Sequence, residues 1–153
     1  MAMITDKGIE ELNKLSEEDG SGILFCPEDL QESYPYAYAL AKCVGWTEEQ
    51  IADALRFIQN KCDIEGARAG TTLRQIITML SEQTDNMVQV LDKYKIKYDD
   101  INPKKKSFFD IVDTIAKSKM GAREMFYLFN CTGVGLEFID IVYSYRHEIY
   151  REE

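Results

Sequence analysis

Between Leu73 and Tyr94 the residues Leu73, Ile77, Leu80, Thr84, Met87, Leu91 and Tyr94 recur alternately four and three positions apart. That is the period of one side of an α-helix and not the alternation of a strand. The same three- and four-residue spacing governs apolar positions along most of the chain, and β-rich alternating runs are scarce. With 45% apolar and 29% charged residues in 153, the composition is globular, and a chain of this size buries a core without staples. The expectation is an all-α fold: one helical bundle of about six to eight helices spanning residues 1–153.

Local signals divide the chain. A first helix is expected from Thr5 or Asp6 to Leu15, then a flexible linker at 17–22, a short apolar run Ile23–Cys26, and a brief helix over Glu28–Glu32. Pro35 opens a helix that Gly45 stops near Val44. Thr47 then caps a second helix, with Gln50 completing a capping-box pattern, that runs to about Lys61 and buries Ile51, Leu55 and Ile58. Gly66 and Gly70 read as breaks. The stripe from Leu73 fits the core-facing side of one helix, or of two with a break near Thr84, and would otherwise be an oligomer seam. Tyr94, Ile96 and Tyr98 alternate over too few residues to define a strand, and Lys104–Lys106 reads as a solvated loop. Ser107 caps a helix carrying Phe108, Val112 and Ile115, and another follows Gly121 with Met125, Phe126 and Phe129. In the last helix, flanked at its start by Gly133 and Gly135, Val134, Phe138, Ile141, Val142, Tyr145 and Ile149 form one apolar face. Leu136, Ile139, Tyr143 and Tyr150 form a second, so this helix is either central to the bundle or shared with another chain.

Charge is segregated. Residues 1–66 hold 14 Asp plus Glu against 5 Lys plus Arg, whereas residues 67–153 hold 13 of each. The whole formal charge of −9 therefore lies in the first part, and the second is neutral. Within the acidic part, Leu40–Leu55 resembles a helix-turn-helix. Ala41 is the small residue where two helices touch and Gly45 sits where the chain reverses. Leu40, Val44, Trp46, Ile51 and Leu55 supply apolar contacts, and Thr47 starts the second helix. The resemblance implies a corner near residues 35–61 with its second helix presented for recognition. That helix carries Glu48, Glu49, Gln50 and Asp53, with only Arg56 basic. A pair of like charges about 7 Å apart in water repels by only ~0.6 kcal/mol, but several add, and the cations that neutralise phosphates are missing. Direct nucleic-acid binding is disfavoured.

The same segment also resembles the ubiquitin-associated domain. Gly45 and Trp46 match its glycine-aromatic loop, Ala54 and Leu55 its second helix, and Asp63, Ile64, Glu65 and Ala67 the start of its third. The chain departs from that pattern at Gly70, which would interrupt the third helix, and in having no double leucine afterwards. Neither likeness extends over the whole sequence.

No catalytic or metal signature emerges. Cys26, Cys43, Cys62 and Cys131 form no CxxC pair, and the single histidine, His147, lies near the end of the last helix. Such cysteines read as reduced thiols packed as small apolar residues, and no cofactor is expected. GVG at 133–135 is neither a P-loop nor a dinucleotide fingerprint. The N-terminus has acidic and polar residues where a secretory signal needs a basic start and an apolar run. No apolar segment reaches the ~20 residues of a membrane helix, so the expected location is the cytoplasm.

These observations favour a non-enzymatic acidic module that docks on a basic protein surface, one that could itself handle nucleic acid. A stand-alone inhibitor of the kind encoded by phages or mobile elements fits. The contacts expected are Glu48, Glu49 and Asp53, with Trp46, Tyr34, Tyr36 and Tyr38 as aromatic anchors. The alternatives are a helix-turn-helix DNA-binding regulator and a structural or oligomeric helical protein, including a homodimer.

Overall fold

A computed structural model describes residues 28–150, and among them the chain forms seven α-helices and no strand. The fold is all-α, within the expected number of helices. The first helix, linker and apolar run expected before Pro27 lie outside the described residues. The chain divides into two compact units, to Arg74 and from Gln75 onward.

In the first unit a 3-10 turn, Glu28–Leu30, leads into α1 (Tyr34–Cys43), α2 (Glu48–Lys61) and the first half of α3 (Gly66–Leu80). The turn that joins α1 to α2 is built as the sequence demands. Gly45 takes φ +100, and its N–H reaches the Lys42 carbonyl while the Trp46 N–H reaches the Ala41 carbonyl, both at 3.0 Å. This is a Schellman close, in which only glycine reverses the backbone without steric cost. Ala41 and Trp46 are both buried beneath it. Thr47 then accepts from the Gln50 N–H at 3.1 Å and the Thr47 N–H donates to Gln50 Oε1 at 2.9 Å, a complete capping box. Helix α2 packs on α1 and on the Glu28–Leu30 turn, and Ile51, Ala54, Leu55 and Ile58 on its inner side are buried, as are Leu30, Tyr34, Ala37 and Tyr38. The Glu28–Leu30 turn is fastened to α2 through Arg56 and Gln59, which donate to the side chain and carbonyl of Asp29, each at 3.2 Å.

Gly70 does not break α3. A Cβ there would fall on the carbonyl oxygen of Ser33 and lie 2.8 Å from Tyr36 Cβ. The residue is glycine because another backbone crosses at that point, and the packing gained outweighs the roughly 1 kcal/mol of helix propensity forgone. The interruption expected at Gly70, which set the chain apart from a ubiquitin-associated third helix, is therefore absent.

In the second unit the end of α3 is followed by α4 (Asp85–Tyr94), a 3-10 turn at Tyr98–Asp100, α5 (Phe108–Lys117), α6 (Ala122–Leu128) and α7 (Gly133–Tyr150). The stripe resolves into two helices parted at Thr84, whose hydroxyl accepts from the Met87 N–H at 3.2 Å. Leu73, Ile77, Leu80, Met87 and Leu91 are buried, so it is a core face and not a free seam. Lys95 in the left-handed region ends α4, and the Tyr94–Tyr98 alternation forms no strand. Instead the Tyr98 hydroxyl donates to the Leu80 carbonyl at 2.7 Å. Ser107 caps α5 as expected. Helices α5 and α6 both pack on α7, with Phe129 and Phe138 ring centroids 4.7 Å apart. Burial of such a ring contributes about 2–3 kcal/mol each.

Candidate functional site

Helix α2 has two sides set by its own period. Positions 51, 54, 55 and 58 face the core, which leaves Glu48, Glu49 and Asp53 along the outer side. The three carboxylates differ in how far they are free to meet a partner. Glu48 is half-buried and takes an ion pair from Lys42 at the end of α1, 3.2 Å away. Its own backbone N–H, unpaired in the first helical turn, holds its carboxyl below the usual value, with Lys42 adding to this against partial burial. Asp53 pairs with Arg56 at 3.5 Å, and Arg56 is shared with Asp29. Glu49 is exposed and makes no ion pair among the described residues. The acidic patch is thus partly neutralised from within, and Glu49 is its most available charge.

The four aromatic candidates separate sharply. Tyr34, Trp46 and Tyr38 are 0%, 4% and 6% exposed, whereas Tyr36 is 47% exposed. Three of the four hold the corner together from inside and do not present a surface. Tyr34 and Tyr38, four residues apart, lie on one side of α1 with ring centroids 5.5 Å apart. Tyr36, two residues from each, points away. Helical spacing puts Tyr34 and Tyr38 on one side and Tyr36 on another, but only the packing decides which side is inward.

Two surface features mark the second unit, and only the second of them was announced by the sequence. Between α4 and α6 runs an open groove of about 250 Å³ lined by Gln89, Val90, Lys93, Arg123, Glu124 and Tyr127. Lys93 and Glu124 meet across it at 2.9 Å. Their hydrogen bond raises the lysine's pKa and lowers the glutamate's, two statements of one interaction. No periodicity announces a pair 31 positions apart. The other feature is the outer side of α7, where Leu136 is 57% and Tyr143 47% exposed. Of the second apolar face expected of this helix, Leu136 and Tyr143 lie open and Ile139 is half-buried, whereas Ile149, expected on the inward face, is exposed.

The cysteines correct one expectation. Cys43 and Cys131 carry free thiols that are exposed and not packed. Cys43 ends α1, and Cys131 sits in the left-handed turn between α6 and α7. Among the described residues no cluster of three His, Cys, Asp or Glu side chains could hold a metal ion. No described helix is long and apolar enough to cross a membrane.

No curated protein and no solved structure matches the chain. A family model described as phage-related minor tail protein matches residues 24–125, a span that takes in α1 to α5 and the start of α6. That span is about two thirds of the sequence, and the chain belongs to the phage-related minor tail protein family.

Proposed function

We propose that this chain is a non-enzymatic, phage-tail-related protein that acts by docking on another protein. Its acidic first unit meets a basic surface through Glu49 and Asp53, with Tyr36 as the exposed aromatic of that unit. The observation that carries the reading is the family match over residues 24–125, since it names a tail component. The free carboxylate of Glu49 on a helix otherwise occupied by its own ion pairs supports the choice of surface. Opposed charges accelerate encounter and discriminate among partners. A basic surface that accepts such a helix is of the kind that holds nucleic acid, so docking would compete with nucleic acid and inhibit its binding. Exposed thiols at Cys43 and Cys131 suit a reducing cytoplasm.

The test is capture of partners from nuclease-treated lysate of a phage-infected host, using the chain and its Glu49→Lys/Asp53→Lys variant. The expected result is a basic protein retained by the parent chain, released by salt and lost with the double reversal. Retention unaffected by the reversals would overturn the assignment of the surface. Recovery only from untreated lysate, through nucleic acid, would favour a DNA-binding corner instead.

A further inference from the structure

The outer side of α7 carries Leu136, Asp140, Tyr143 and His147, four, three and four residues apart, and all four are exposed. This is the alternation of a two-helix seam. It lies beyond the family-matched span, on the opposite side of α7 from Phe138, Ile141 and Val142, which bind the helix to its own unit. Tyr143 is not a loose side chain. The Arg146 guanidinium lies over its ring at 5.6 Å and is itself fixed by the Ala116, Ile115 and Met120 carbonyls at 3.2, 3.4 and 3.0 Å around the end of α5. An exposed aromatic held in place this way loses little freedom on binding, which is the property of an interface anchor.

From this stripe we infer that α7 pairs with α7 of a second copy of the chain, antiparallel, about a two-fold axis near Tyr143. Charge selects both the occupant and the direction. In an antiparallel pair Tyr143 meets its own copy and Asp140 comes opposite His147 of the partner subunit, so a carboxylate faces a ring N–H donor twice. A parallel pair would set Asp140 against Asp140 of the partner subunit and His147 against its own copy, placing like beside like. The symmetric arrangement is self-complementary, as a two-fold interface requires. The inference does not depend on the docking surface proposed for the first unit.

Sedimentation of the full chain over a wide concentration range tests it. The expected result is a mass that climbs from the 17.6 kDa monomer to twice that value and no further. Leu136→Glu and Tyr143→Lys should each weaken association at least tenfold. Asp140→Lys should weaken it by placing a cation opposite His147, and adding His147→Asp should restore it, a rescue that only the antiparallel register gives. Because all these positions are exposed, the variants keep the fold, which circular dichroism checks, and Glu49→Lys in the other unit should leave the mass unchanged. A monomer at every concentration overturns the inference, whether the face then proves covered by another part of the chain or by a different protein. A trimer, or a dimer indifferent to Leu136→Glu and to the charge exchange, overturns it equally.

Discussion

Gly70 illustrates how one residue's identity answers to a distant segment. In an exposed helix interior, replacing glycine by alanine stabilises by up to about 1 kcal/mol. Here the added methyl would meet the Ser33 carbonyl and Tyr36, so Gly70→Ala is expected to destabilise by about 1–3 kcal/mol, read as a lower urea midpoint. An unchanged or higher midpoint would show that α3 does not approach Ser33 so closely. Glu48 and Glu49 make a second contrast between neighbours. Reversal of Glu48 breaks its pair with Lys42 and puts a cation at a helix N-terminus, a loss of about 0.5–1 kcal/mol. Glu49→Lys forgoes only the helix-end term and should lower the melting temperature less. That makes Glu49 the cleaner probe of partner binding, although the two residues look interchangeable in sequence.

At the scale of elements, caps and helical periods were legible in the sequence because they are local. Thr47 with Gln50, and Ser107, each start the helix expected of them, and Thr84 starts one at the break that was one of two readings of the stripe; each does so through a hydroxyl that accepts an otherwise orphaned N–H. Thr47→Ala should cost about 0.5–2 kcal/mol and, by loosening the corner, raise amide exchange across the start of α2 before that of α7. Uniform acceleration in both helices would argue against such a local effect. What periodicity left open was which side of a doubly apolar helix meets its own core. For α1 and α7 the answer came from packing: Tyr34 and Tyr38 turn inward and Tyr36 outward, Phe138 inward and Tyr143 outward.

For the molecule as a whole, two carboxylates contribute to the acid side of the stability curve. Glu48 and Glu124 have pKa values below the ordinary 4.5, so the unfolded chain takes up their protons first as pH falls. Their contributions are complete above about pH 4.5 and are lost as pH drops through the folded-state values. Lys93 has its pKa raised above 10.5, so its share is complete below about pH 10.5 and is lost as pH rises through its folded-state value. Urea midpoints followed down to about pH 3 should fall, and Lys93→Met should flatten the part of that fall owed to Glu124. A slope unchanged by Lys93→Met would remove the Lys93–Glu124 pair from the account. The isoelectric point near 4.7 lies in the same range, so loss of net charge and loss of these ion pairs coincide there, and light scattering should rise as stability falls.

The sequence by itself determined the fold class, the corner between α1 and α2, the caps at Thr47 and Ser107 and the concentration of negative charge before residue 67. These are properties of composition and of neighbours within a few positions, and backbone sterics and hydrogen-bonding demands act over that range. Only the tertiary structure decided that Gly70 lies within a helix, that Trp46, Tyr34 and Tyr38 belong to the core, that Glu48 and Asp53 are matched by their own cations, and that the outer side of α7 is open. Each of those depends on which segments come together in space, and the energy of a contact is fixed by the surfaces that meet, wherever they stand in the chain.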